Sequence, residues 1–153
     1  MISTPEIVDV PAQKIAFIRV NTPREQIVAG MHAGLDELGR VLKAQKVSPT
    51  GPWFTHHFRR PNETFDFRIC FPIDGEIQPE GRVESGELTA ATVARTIYSG
   101  GYEELGKGWG EFQSWIESKN LPTRDDLWER YLVGPEGDED SSKWRTELNR
   151  PLA

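Results

Sequence analysis

Apolar and polar residues alternate along residues 65–71. Phe65, Phe67, Ile69 and Phe71 fall on one side, and Asp66, Arg68 and Cys70 on the other. A period of two predicts a strand with one buried face. Residues 7–20 predict a strand, or a bent pair of strands around Pro11. Residues 53–60 predict another, and residues 82–98 are strand-like, most firmly over 93–98. The period changes at Ile27, Met31, Leu35, Leu38 and Leu42, which recur at helical spacing. Thr22 can cap this helix, Pro23 suits its first position, and Glu25 stands three residues after the cap. The helix is predicted from Pro23 to about Gln45. Leu105, Trp109, Phe112 and Ile116 predict a second helix through Ser118, ended at Leu121-Pro122-Thr123. A strand from Leu127, an acidic loop over 136–140 and a last segment over 144–152 follow. Turn residues at 48–52, 61–63, 72–81 and 99–101 separate the elements.

The pattern repeats. A shift of 78 residues carries Val10 onto Leu88, Ile15 onto Val93, Val20 onto Tyr98 and Pro23 onto Gly101. It also carries Ile27 onto Leu105, Met31 onto Trp109 and Leu38 onto Ile116. Each half, about 1–75 and 76–153, reads strand, capped turn, helix, loop, strands. This predicts one α+β domain built as a pseudo-two-fold duplication, a curved antiparallel sheet with two helices on one face. A groove where the halves meet is the expected small-molecule site.

Composition narrows the choices. The 153 residues carry 18 Lys and Arg against 24 Asp and Glu, a formal net charge of −6. That argues against a general phosphate-binding surface, so no direct nucleic-acid binding is expected. No apolar stretch reaches the ~20 residues needed to span a membrane. No basic segment followed by an apolar run opens the chain, so a cytoplasmic protein is expected. The single cysteine, Cys70, forms no internal disulfide and reads as a buried strand thiol.

Candidate chemistry is concentrated at one place. Leu127, Glu129, Tyr131 and Val133 share a strand face. This puts a carboxylate between apolar neighbours and beside a phenol, which is costly unless something offsets it. An arginine partner (Arg68, Arg95 or Arg130), a proton or a bound organic cation would each do so. The chain is rich in large aromatics: Trp53, Phe54, Trp109, Trp115, Trp128, Tyr131 and Trp144. Phe112 and Trp115 read as core. Trp53 and Trp128, at strand starts beside turn residues, suit an aromatic wall. His56 and His57 are adjacent on a strand and point to opposite faces, so they suit no common metal. Asp138-Glu139-Asp140 matches no calcium-loop spacing and reads as a solvated loop. There is no phosphate loop, nucleophile elbow or paired cysteine ligand set. No metal or cofactor is expected.

The chain resembles the GyrI-like small-molecule-binding domains, the effector-binding modules of AraC-type and MerR-type multidrug regulators. The resemblance spans nearly the whole chain. It rests on Gly51-Pro52-Trp53-Phe54, Phe65-Asp66, Phe71-Pro72-Ile73 and Gly100-Gly101-Tyr102-Glu103-Glu104-Leu105. It rests further on Trp115-Ile116, Trp128-Glu129-Arg130-Tyr131-Leu132, Trp144-Arg145-Thr146-Glu147-Leu148 and Pro151-Leu152. It implies the duplicated fold and binding of bulky, aromatic or cationic compounds, for sequestration or effector sensing. The family's groove glutamate matches Glu129 and its partner tyrosine Tyr131. Trp53, Phe54, His57, Phe67, Trp109 and Trp128 are the other implied ligand contacts, with His57 where relatives often carry Tyr. The regulators carry a DNA-binding region for which this chain has no room, so it resembles a stand-alone member. Stand-alone members resemble either binders, of toxins or of a protein such as DNA gyrase, or hydrolases of cyclopropane-bearing alkylators. In a hydrolase Glu129 would be the base and Tyr131 would orient it, with Glu104 and Trp109 as helpers.

Overall fold

A computed structural model describes residues 1–153. The elements are β1 (Glu6–Val10), β2 (Gln13–Pro23), α1 (Ile27–Ala44), β3 (Phe54–His57), β4 (Thr64–Pro72) and β5 (Glu84–Leu88). They continue with β6 (Ala91–Ser99), α2 (Leu105–Ser118), β7 (Leu127–Val133) and β8 (Arg145–Pro151). The chain is α+β and every strand pair described here is antiparallel. No helix is long and apolar enough to cross a membrane.

Two compact units result. One is Pro11–Ala90; the other joins Met1–Val10 to Ala91–Ala153. In the first the strands run β3-β4-β2-β5, and in the second β7-β8-β6-β1. The two orders are the same, so the repeat in sequence is a repeat in structure. The units depart from the sequence halves at the leading strands. β1 precedes β2 in the chain and pairs with β6, whereas β5 precedes β6 and pairs with β2.

The repeat extends to the helix ends. Pro23 and Gly101 each precede a 3-10 turn, Arg24–Gln26 and Tyr102–Glu104, which leads into the α-helix. The expected Thr22 cap does not form: Thr22 lies in β2, and no side chain caps the turn after Pro23. The backbone is already extended at Pro23, so the proline itself sets the entry. Both helices end alike. Lys46 and Asn120 adopt positive φ, 60° and 54°. Val47 N–H then donates to Leu42 O at 2.9 Å, and Leu121 N–H to Ile116 O at 3.3 Å. These are Schellman closures, in which a left-handed residue satisfies the last carbonyls.

Each helix packs on the strands of its own unit. In the first unit Leu38, Val41 and Leu42 of α1 meet Ala16, Ile18, Val20, Phe67 and Ile69. In the second, Phe112 and Ile116 of α2 meet Ala94, Tyr98 and Leu148. Gly108 lets α2 come close, since a Cβ there would lie 2.6 Å from Tyr98 Cδ1. The Tyr98 ring has little room to yield, because its hydroxyl donates to Gly101 O at 2.8 Å. Trp109, the next residue, is thereby carried to the flank of α2 beside β7. Cys70 is fully buried, and burial pushes its thiol up to about 12. It is inert at neutral pH.

Candidate functional site

β7 runs through the second unit with a period of two. Its register places Glu129 opposite Leu148 and Tyr131 opposite Thr146, while Trp128 lies opposite Asn149 and Arg130 opposite Glu147. Leu148 packs with Phe112 and Ile116, so Glu129 and Tyr131 share the sheet face that α2 covers. The register shifts between Tyr131 and Val133, just past the two residues. Irregularities of this kind are common beside functional sites, where they end regular pairing.

Both oxygens of Glu129 are held. Trp109 Nε1 donates to Oε2 at 2.6 Å, and Tyr131 Oη donates to Oε1 at 2.8 Å. Neither donor carries charge. No lysine, arginine or histidine forms an ion pair with Glu129. The three candidate arginines go elsewhere. Arg130 Nη1 donates to Glu147 Oε1 at 3.1 Å, and Arg95 Nη2 lies 3.4 Å from the same oxygen. Asn149 Nδ2 completes that cluster at 3.1 Å. Arg68 Nη2 donates to His56 Nδ1 at 2.9 Å. Arg130 and Glu147 alternate with Tyr131 and Leu148 along their strands, so this ion-pair cluster occupies the other face of the sheet. Burial pushes the Arg130 guanidinium down, and Glu147 opposes that. Glu129 is a half-buried carboxylate whose hydrogen bonds are made and whose charge is not neutralised.

Aromatic rings continue from Tyr131. The Tyr102 ring lies 6.1 Å from it at 78°, and Trp144 lies 4.9 Å from Tyr102. Trp144 is anchored by Nε1 donating to Asp138 O at 2.7 Å. Trp109 rests on Phe112, ring centres 5.7 Å apart. The Tyr102 hydroxyl is pushed up to about 12, by burial first and then by Glu136 and Glu129. It is therefore a neutral donor at physiological pH.

The structure thus joins three of the expected residues, Glu129, Tyr131 and Trp109. Trp128 is fully buried on the opposite strand face from Glu129, a core position. Trp53, Phe54, His57 and Phe67 belong to the unit Pro11–Ala90. There His57 stacks on Phe67, ring centres 5.0 Å apart, and Phe67 is part of the core under α1. Trp53 packs on that core and Phe54 is fully buried. Glu104 pairs with Lys107 at 2.9 Å on the surface. Tyr102 and Trp144 were not among the expected contacts. The signal for Tyr102 is the repeat itself, which sets it against Arg24 in the first unit.

The repeat also supplies an internal control. Thr55 pairs with Ile69 and His57 with Phe67, as Glu129 pairs with Leu148 and Tyr131 with Thr146. Thr55 and His57 therefore occupy in the first unit the places of Glu129 and Tyr131. They too are joined, His57 Nε2 to Thr55 Oγ1 at 3.1 Å. The fold is built there with a threonine, so it does not require a carboxylate at this position.

Residues 3–153 match the family described as GyrI-like small molecule binding domain. No curated protein sequence matches. Among solved structures, the EcmrR C-terminal domain superposes with a TM-score of 0.88 at 19% identity, covering 98% of this chain and 97% of that one. EcmrR in a DNA complex gives 0.86 at 20% identity, and there this chain covers 97% of itself and 57% of the longer protein. SAV2435, solved with tetraphenylphosphonium bound, gives 0.71 at 13% identity, with 99% and 94% covered. A hydrolase from Listeria innocua gives 0.70 at 12% identity, with 97% and 91% covered. At these identities the structures share a fold with this chain.

Proposed function

The chain belongs to the GyrI-like small-molecule-binding family, and from that premise we propose that it binds bulky aromatic cations with Glu129 as the counter-charge. One observation carries this reading: Glu129 is held at both oxygens by neutral aromatic donors and by no cation. Two such bonds orient a carboxylate and leave its charge available. The indole and phenol rings add faces on which a delocalised cation gains cation–π attraction. Thr55, in the equivalent place of the first unit, supports the view that Glu129 serves a ligand rather than the fold. A charge held in place in this way suits effector sensing as well as sequestration.

Hydrolysis of a cyclopropane-bearing alkylator is the second reading. A Listeria innocua hydrolase shares the fold. A general base must lie within hydrogen-bond reach of the water it activates. Each Glu129 oxygen keeps a lone pair beyond its Trp109 or Tyr131 bond, so the same carboxylate serves either reading, and catalytic turnover of such an alkylator is the result that would favour hydrolysis.

The test compares two compounds of similar shape. Tetraphenylphosphonium, a ligand of the related SAV2435, and neutral triphenylphosphine oxide are titrated calorimetrically. The cation is expected to bind at least about tenfold more tightly, the value of a partly screened charge contact. Equal affinities would show that the site reads apolar surface and not charge.

A further inference from the structure

Beyond Tyr131 the chain leaves β7 and passes Gly134 to Glu136. Tyr102 Oη lies 2.9 Å from the point where a Cβ on Gly134 would stand, and the Glu136 carboxylate oxygens lie 3.0 and 3.1 Å from it. Phenol and carboxylate thus converge over a residue that has no side chain to separate them. Glu136 is exposed and enters no ion pair. On its other side Tyr102 faces the Tyr131 ring, whose hydroxyl is bonded to Glu129. Two carboxylates without basic partners are therefore linked by aromatic rings.

We propose that the Glu129 site continues along Tyr131, Tyr102 and Trp144 to Glu136 and selects cations with two separated positive centres. The inference rests on the reading that Glu129 takes a cation. A monocation seated at Glu129 leaves Glu136 unused. A second positive centre on the same molecule reaches Glu136 without a further loss of translational freedom, because the first contact already confines it. The rings between the carboxylates suit an apolar or aromatic spacer. The hydroxyl of Tyr102, flanked by both carboxylates, is neutral at physiological pH and places no competing negative charge in the path.

The experiment uses the full chain and a series of quinolinium salts. Polymethylene-linked bis-quinolinium compounds of increasing linker length are compared with mono-quinolinium compounds bearing neutral tails of equal length. In the unaltered protein the best bis-cation is expected to bind about tenfold or more tighter than its mono-cation, with an optimum at one linker length. Glu136→Gln is expected to remove most of that advantage and to leave mono-cation affinity within about twofold, since an exposed residue tolerates substitution. Glu129→Gln is expected to weaken both. A bis-cation advantage that survives Glu136→Gln overturns the proposal. So does an advantage no larger than the twofold statistical factor, with normal mono-cation binding. If the mono-cations also fail to bind the unaltered protein, the Glu129 reading itself fails and this extension falls with it.

Discussion

Glu129→Gln is expected to weaken tetraphenylphosphonium binding by roughly 30- to 150-fold, about 2–3 kcal/mol. The substitution keeps shape and removes charge. A unit charge about 4 Å from a carboxylate gains about 4 kcal/mol at the effective dielectric of a partly exposed site, and desolvation takes back part of that. The glutamine carbonyl can still accept from Tyr131 or Trp109, though not both as the carboxylate does, because its second polar atom is a donor. Folding changes little, since the pseudo-equivalent Thr55 shows that the strand forms without a carboxylate there. The measurement is isothermal titration of both proteins, with thermal unfolding as the control for structure. A variant that binds the cation as tightly as the parent would mean that Glu129 has no part in recognition.

Phe112→Ala is expected to have the largest effect on stability, a loss of about 3–5 kcal/mol. Phe112 is fully buried between α2 and the sheet, packed with Ala94, Tyr98, Ile116 and Leu148. Removing its ring leaves a cavity that neighbours can only partly fill. Urea unfolding should show a lower midpoint with an unchanged slope. Val28→Ala, on a residue of α1 that is 67% exposed, serves as the comparison and should change stability by no more than about 0.5 kcal/mol. The Phe112 ring also supports Trp109. The surviving folded fraction should therefore show a looser indole and a shifted tryptophan emission. A loss below about 1 kcal/mol would mean that α2 is not docked on the sheet as described.

Local pattern made much of the fold legible. The alternation from Phe65 to Phe71 is β4, and the helical spacing from Ile27 and from Leu105 marks α1 and α2. The 78-residue shift sets Pro23 against Gly101, and both stand one residue before a 3-10 turn. The exchange of β1 and β5 was not legible, because a strand's own residues do not say which edge it joins. Glu129 and Tyr131 share a face as a period of two requires, yet the choice among their partners is made by elements far along the chain. Arg95 and Arg130 could not be assigned to Glu147 from sequence, since that pairing depends on the register of β8 with two different strands. Trp128 shows the same limit. Large aromatics at strand starts serve walls and cores alike, and burial decides for the core. Tyr102 sits in a 3-10 turn, outside both periodic patterns, so periodicity does not mark it as a contact of Tyr131.

The central claim is that a ligand's positive charge comes to rest at Glu129. Tetraphenylarsonium tests it directly, because its arsenic carries the charge and scatters anomalously. In crystals of the complex, the anomalous peak is expected within about 6 Å of the Glu129 carboxylate or of the Tyr131 and Trp109 rings beside it. A strong arsenic peak elsewhere, with the Trp109 and Tyr131 bonds to Glu129 intact, would contradict the account.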